Sequence, residues 1–247
     1  MKPPASTTIL GIETSCDETA AAVLDGEGHV LANVISSQQT VHERFGGVVP
    51  ELASRAHIQN VDHVTRQALD AAGLTWQDLG AIAVTQGPGL AGALLVGISY
   101  AKSLAYALGI PLVGVSHLEG HIASAWIDRP SFPRTCVVLI ASGGHTHLFH
   151  ATEHGGFHLM GRTIDDAAGE AFDKGAQMLG LGYPGGPLID AAARKGSPAA
   201  VRFPRSRVRT GQLDFSFSGL KTALLYHLQR MDQEAIVRQQ ADLAAGY

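Results

Sequence analysis

The chain opens on an apolar run at residues 7–13 (TTILGIE), which predicts a short buried strand. A polar turn at residues 14–18 separates it from a second strand at residues 20–24. Asp25-Gly26-Glu27-Gly28 has hairpin-turn chemistry, and residues 29–35 give a third strand. Three strands joined by tight turns predict an antiparallel meander. The period then changes. Val49, Leu52, Ala56, Val61, Val64 and Leu69 recur at steps of three to five, which predicts a helix over residues 48–72 with Gly73 as its stop. Residues 81–85 (AIAVT) read as a buried strand, residues 90–108 as a nearly all-apolar helix, and residues 112–115 as another strand. Ser116 has the chemistry of a cap for a helix over residues 117–126. Strands alternating with helices predict a parallel extension of the meander.

The pattern breaks at Arg129-Pro130-Ser131-Phe132-Pro133, which predicts a boundary between a unit at 1–130 and a unit at 131–247. Beyond it the opening pattern returns. Residues 136–141 (CVVLIA) read as a buried strand, Ser142-Gly143-Gly144 as a tight turn, residues 145–151 as a strand, His154-Gly155-Gly156 as a turn, and residues 157–162 as a third strand. The two meanders imply a duplicated fold of βββαβαβα type. Helical stretches follow at residues 169–179, 187–195, 218–230 and 234–245, with an irregular Arg-rich segment before the last two. The second half has no counterpart of the strands at 81–85 and 112–115, so its lobe is expected to be incomplete.

Composition changes little. The chain has 247 residues, 45% hydrophobic and 16% charged, which permits a large core and excludes disorder. Two cysteines, Cys16 and Cys136, exclude a disulfide scaffold. A net charge of −4 excludes a whole-chain basic field, so a nucleic-acid role needs a local patch or a helper. The apolar runs are interrupted by Gly, Lys or His, so no membrane span is expected, and the default compartment is cytoplasmic.

The 29 glycines and 12 histidines cluster. Gly-rich turns stand at residues 87–92, 142–146 and 183–187, where exposed N–H groups could cradle a phosphate. None has P-loop or G-x-G-x-x-G spacing, and the bland reading is a turn needing positive φ. His117 and His121 stand four apart in HLEGH, on one helix face, as a metal requires. Glu119 is misplaced for the zincin H-E-x-x-H motif, which argues against a metalloprotease. A third ligand is needed, and His145 and His147 are candidates by type. The bland reading is two half-exposed helix-start histidines. Asp166, Glu170 and Asp173 are expected on one helix face, where they could hold ribose hydroxyls or a metal, or simply form a solvated acidic helix start. Arg202, Arg205, Arg207 and Arg209 could contact phosphates or line a solvated loop. Phe215 and Phe217 precede a capped helix and are expected to pack its cap. Cys16 lies beside Asp17 and Glu18, which raise a thiol pKa, so it is not expected to be a nucleophile.

The strings GIETSCDET (11–19), GGVVPELASRAH (46–57), GPGLAGALLVG (87–97), HLEGH (117–121), SGGHT (142–146), DDAAGEAFDK (165–174), YPGGP (183–187) and DFSFSGLK (214–221) together resemble the TsaD family. The resemblance runs from about residue 8 to the end. It implies the ASKHA (actin-like ATPase) fold, an α/β architecture of two duplicated lobes with the second incomplete here. It implies transfer of a threonylcarbamoyl group from threonylcarbamoyl-AMP to N6 of adenosine 37 in tRNAs that read codons beginning with A. His117 and His121 match the family's metal pair, with iron or zinc as the metal. Ile140, Ala141, Ser142, Gly143, Gly144, Asp173, Gly186 and Asp190 match its substrate-contacting positions. TsaB-like and TsaE-like protein partners are implied, with the donor supplied by TsaC. Family members also carry a Gly-Gly-Val-x-Ala-Asn nucleotide motif and a metal-ligating Asp in a Thr-Asp-Asn string, both beyond Tyr247, so this stretch alone is expected to hold incomplete metal and nucleotide sites. The alternative is a truncated, inactive paralogue acting as a partner-binding scaffold. A phosphotransferase on the same fold is a further reading.

Overall fold

The computed structural model describes residues 8–247 except 46, 128, 130, 154, 206, 207 and 209–212. His154, Arg207 and Arg209, singled out above, therefore lie outside the described residues. The chain divides into two compact units, Met1–Phe132 and Pro133–Tyr247.

In the first unit, β1 (Thr8–Glu13), β2 (Glu18–Leu24) and β3 (Val30–Ser37) form the expected antiparallel meander. A short helix α1 (Gln39–His42) and a 3-10 turn then lead into α2 (Pro50–Ala72), an addition that no hydrophobic period announces. Next come β4 (Leu79–Gly87), α3 (Ala91–Leu108), β5 (Leu112–Ser116) and α4 (His117–Ala123). The strand order is β3-β2-β1-β4-β5, with β4 parallel to both β1 and β5. The core is the set Leu10, Ile12, Val23, Ile82 and Val84 from the strands, closed by Val61, Val64 and Leu69 of α2 and Ala101 and Ala105 of α3. Burial alternates along β1 and β2, so these strands are half-buried, with one face in the core. By length and composition α3 would suffice to cross a membrane; here its Ala93, Gly97, Ala101 and Ala105 are buried, and it packs on the sheet and α2. Both α2 and α3 end on a glycine in the left-handed region, Gly73 and Gly109, each at φ 67°.

The second unit repeats the meander as β6 (Cys136–Ala141), β7 (Thr146–Ala151) and β8 (Phe157–Arg162), a three-stranded sheet in that order. It continues through α5 (Ala168–Met178), α6 (Gly185–Ala193), α7 (Ser218–Leu228) and α8 (Gln233–Gly246). Its core gathers Ala176, Leu179, Ile189, Leu224, Leu228 and Leu243. One expectation fails. The run CVVLIA predicts a buried strand, yet Val137 and Leu139 are 60% and 56% exposed. β6 is an edge strand, and an apolar run does not report whether a second layer covers it.

A buried polar chain ties the loop after β1 to the helices. The fully buried His57 of α2 donates from Nε2 to the Cys16 carbonyl at 3.0 Å and accepts at Nδ1 from Thr19 Oγ1 at 2.8 Å. Gln38 lies against the same ring and accepts from His42 Nε2 at 3.2 Å. Both His57 nitrogens are satisfied in the neutral ring, and burial pushes its pKa below 6.5. Unfolded chains then take up the proton more readily than folded ones, so His57 contributes stability above about pH 6.5 that is lost as pH falls. His57→Leu is expected to cost about 1–3 kcal/mol at neutral pH, because it orphans the Cys16 carbonyl and the Thr19 hydroxyl. Urea titrations near neutrality and at mildly acidic pH should show a smaller acid loss in the variant than in the parent; an equal loss would clear His57 of that role.

Candidate functional site

The site in the first unit starts with β1. Glu13 is its last residue, and the chain turns at once through Thr14 and Ser15, both essentially buried. Thr14 Oγ1 donates to the Ala93 carbonyl at 2.9 Å, and Leu90 N donates to the Ser15 carbonyl at 2.8 Å, so the loop is pinned to the start of α3. Gly89 is required there: a Cβ on it would meet the Ser15 carbonyl oxygen at 2.6 Å. In the turn at residues 87–92, Gly89 thus serves a close backbone approach, and Gly87 has the positive φ, 155°, of the bland reading.

Glu13 faces the ends of the neighbouring strands. Thr85 Oγ1, from β4, donates to Glu13 Oε2 at 2.5 Å, and the Ser15 backbone N–H donates to Oε1. His117, the first residue after β5, brings Nδ1 to 3.2 Å from the same Oε2 and 3.2 Å from Ser15 Oγ. Burial alone would raise the Glu13 pKa; hydrogen bonds from His117, Ser15 and Thr85 overcome it and hold the carboxyl at about 2. Ser116 caps α4 as expected, accepting from Glu119 N at 3.4 Å. One turn along, His121 Nε2 lies 3.1 Å from His117 Nε2. Burial and the neighbouring His117 ring lower the His121 pKa, which favours the neutral imidazole that metals bind.

This pair fits a metal. Two nitrogens bound at about 2.0–2.1 Å to one ion lie about 2.8–3.4 Å apart at octahedral to tetrahedral angles, and the observed 3.1 Å falls within that span. Among the described residues no group of three or more His, Cys, Asp or Glu is arranged to hold a metal. His145 and His147 belong to the second unit, their rings 5.6 Å apart. Sequence reading overlooked Glu13; its only signal was a carboxylate ending an otherwise apolar strand. Cys16 behaves as expected. Partial burial of its sulfur, then Asp17 beside it, pushes the thiol up to about 12, so it is no nucleophile at neutral pH.

In the second unit, the Ser142-Gly143-Gly144 turn is closed by Ser142 N to the His145 carbonyl at 2.8 Å and by His145 N to Ser142 Oγ at 3.1 Å. Gly143 and Gly144 are exposed, with open space where a Cβ would stand. The turn sits on the start of α5: Gly169 N donates to the Ser142 carbonyl at 3.0 Å. Ile140 is 8% exposed and pairs with His147 in the sheet; Ala141, at the end of β6, is exposed. Asp173 Oδ1 accepts from Gly185 N at 2.7 Å at the start of α6, beside Gly186, which has open space around it. Asp190 is exposed on α6 and paired with Arg194 at 2.9 Å.

The acidic face is corrected. Asp166 precedes α5 instead of lying on it, and the carboxylates have separate structural tasks. Asp165 caps α7 from a distance, accepting from Phe217 N at 2.8 Å, Ser218 N at 3.2 Å and the hydroxyls of Ser216 and Ser218 at 2.5 and 2.7 Å. Asp166 receives Lys174 at 3.2 Å and Lys221, and Glu170 receives Lys174 at 2.5 Å. The Phe215 and Phe217 rings lie parallel, 6.3 Å apart, just before α7. Arg202 and Arg205 are exposed, which suits either reading of them.

The sequence model of the family described as TsaD, tRNA N6-adenosine threonylcarbamoyltransferase, matches residues 29–247. A relative of that name from Clostridium perfringens (strain SM101) is 53% identical over 239 residues, 97% of this chain and 70% of the relative. One from Moorella thermoacetica is 54% identical over 241 residues, 98% of this chain and 70% of the relative. Among solved structures, YeaZ from Pseudomonas aeruginosa aligns at a TM-score of 0.44 and 23% identity over 66% of each chain.

Two variants test the second unit. Gly169→Ala would place a Cβ 2.6 Å from the Ser142 carbonyl oxygen and 2.7 Å from Gly143 N, both backbone atoms. It is expected to cost about 1–3 kcal/mol in a thermal melt. Asp165 is held at about 2, below its ordinary 3.8: burial opposes this, and the donors of residues 216–218 outweigh it. Its contribution is complete above 3.8 and lost as pH falls toward 2. Because the side chain is exposed, Asp165→Asn is expected to cost about 1 kcal/mol at neutral pH, and the gap to the parent should close on acidification.

Proposed function

The chain belongs to the TsaD family of tRNA N6-adenosine threonylcarbamoyltransferases, and on that premise we propose that it forms the threonylcarbamoyl modification from threonylcarbamoyl-AMP at N6 of adenosine 37 in tRNAs reading codons that begin with A. Its ASKHA-type α/β fold is the family's. The observation that carries the reading at the level of chemistry is the convergence of His117 Nε2 and His121 Nε2 at 3.1 Å on an anchored base.

The reaction needs little covalent help from the protein. The donor is a mixed carbamic–phosphoric anhydride. Adenosine N6 attacks its carbamoyl carbon, the bond from that carbon to the phosphate oxygen breaks, AMP leaves with the electron pair, and N6 gives up one proton. N6 is a weak nucleophile, because its lone pair is delocalised into the ring, so positioning and charge stabilisation carry the rate. His117 and His121 would hold an iron or zinc ion, which when bound supplies Lewis acidity toward the threonylcarbamoyl group. The exposed turn at Gly143 and Gly144, bare of side chains, would offer backbone N–H groups to the donor's phosphate or carbonyl oxygens. Ile140 and Ala141 would contribute backbone beside them. Asp173 and Gly186, at the start of α6, and Asp190, on its exposed face, are suited to the nucleoside hydroxyls.

Threonylcarbamoyl-AMP and tRNA are the substrates in this reading, TsaB-like and TsaE-like proteins the partners, and the cytoplasm the compartment. A net charge of −4 suits tRNA binding shared with partners. The inactive-scaffold alternative is not favoured, since the relatives carry the transferase name. His117→Ala in the full-length protein, assayed with its partners, is expected to lower bound metal about tenfold or more and to lower transfer with it. Unchanged transfer at saturating tRNA would remove the ligand assignment.

A further inference from the structure

We infer that Glu13 is a positioning residue: its carboxylate fixes the tautomer of His117 and thereby aims the His117 Nε2 lone pair at the point that His121 Nε2 also faces. The inference rests on the metal reading of the histidine pair but concerns a residue outside that pair.

The argument is one of donors and acceptors. An ionised carboxylate only accepts hydrogen bonds. Glu13 Oε2 lies 3.2 Å from His117 Nδ1, so that nitrogen carries the proton. A neutral imidazole has one N–H, so the lone pair falls on Nε2, the nitrogen 3.1 Å from His121 Nε2. Ser15 Oγ, 3.2 Å from the same Nδ1, can donate or accept and does not by itself choose a tautomer. The carboxylate cannot turn to release the ring. Its Oε1 is held by the Ser15 backbone N–H, and its Oε2 by Thr85 Oγ1 at 2.5 Å. Ser15 and Thr85 are 2% and 7% exposed, so water does not readily replace either donor. A histidine that donates its second nitrogen to a carboxylate is also the more basic metal ligand.

Glu13→Gln separates shape from chemistry. The amide keeps the size of the carboxylate. Ser15 N–H will bind the amide oxygen, which turns the NH₂ toward His117 Nδ1 and makes that nitrogen an acceptor. The proton then moves to Nε2 and blocks the metal-facing lone pair. The direct readout is the nitrogen chemical shifts of His117 in metal-free protein, above the imidazole titration range. The parent should show protonated Nδ1, and Glu13→Gln should show protonated Nε2. Zinc alone, titrated against a competing chelator, should bind about 10- to 100-fold more weakly to the variant. Glu13→Asp, which keeps an acceptor-only group, should retain the parental tautomer. Thr85→Val, which loosens the carboxylate without touching the histidines, should weaken zinc binding less than Glu13→Gln and serves if that variant does not fold. A parent with protonated Nε2, or a Glu13→Gln protein with the parental tautomer and parental zinc affinity, would overturn the inference. If the tautomer switches but the parent binds no zinc, the metal reading fails while the positioning role stands.

Discussion

The first unit is organised around one half-buried carboxylate. The sheet places β1, β4 and β5 side by side and parallel, so their carboxyl ends finish on one edge. Glu13 closes β1, Thr85 lies near the end of β4, and His117 follows β5 directly. A single side chain thus ties three strand ends together, and open α/β sheets bind ligands at such ends. Partial burial by itself raises the Glu13 pKa. Three donors reverse that, and a carboxylate held at about 2 stays charged at any physiological pH. The histidine pair stands on this base. α4 is only seven residues long, and helices of that length do not hold themselves together in water. What fixes His117 is its capped start and its bond to Glu13.

The second unit solves its problem with the same chemistry differently spent. Its helices are short and start without a capping side chain of their own in α5, α6 and α7. Unsatisfied N–H groups at a helix start favour anions. Asp173 supplies one to α6, and Asp165 supplies one to α7 from more than fifty residues away in sequence. Asp166 draws Lys174 of α5 and Lys221 of α7 onto one carboxylate. The strings DDAAGEAFDK and DFSFSGLK are therefore two halves of one scaffold. The acidic cluster goes into building the unit, which leaves Asp173 as the carboxylate that also borders the open position at Gly186.

Most of the architecture was legible in the sequence because it is written locally. Strand runs, the helical period of α2 and the glycine stops at Gly73 and Gly109 depend on near neighbours only. The break near Pro133 and the return of the meander are equally local. The paired histidines were legible because their spacing is a helix repeat. What escaped was whatever depends on partners distant in sequence. Asp165 meets its donors across 51 to 53 positions and Glu13 meets His117 across 104, and neither link leaves a period. The exposed face of β6 escaped for a related reason: Val137 and Leu139 have core composition, and composition does not say what lies over a strand. His57 escaped because a buried histidine with two satisfied nitrogens looks, in sequence, like any helix histidine.

The two candidate sites are anchored differently, in keeping with the proposed chemistry. A metal pair loses affinity if either nitrogen swings, so its ring is tied at Nδ1, its helix is capped, and its underlying loop is pinned by Thr14, Ser15 and the fully buried His57. In the proposed reaction an anhydride donor enters and AMP leaves on every turnover. The Ser142–Gly144 turn is accordingly exposed, bare of side chains at Gly143 and Gly144, and anchored mainly through the Ser142 carbonyl to Gly169. That anchor occupies the Ser142 carbonyl and neither glycine N–H, so in the proposed reaction it does not compete with an incoming phosphate for those donors.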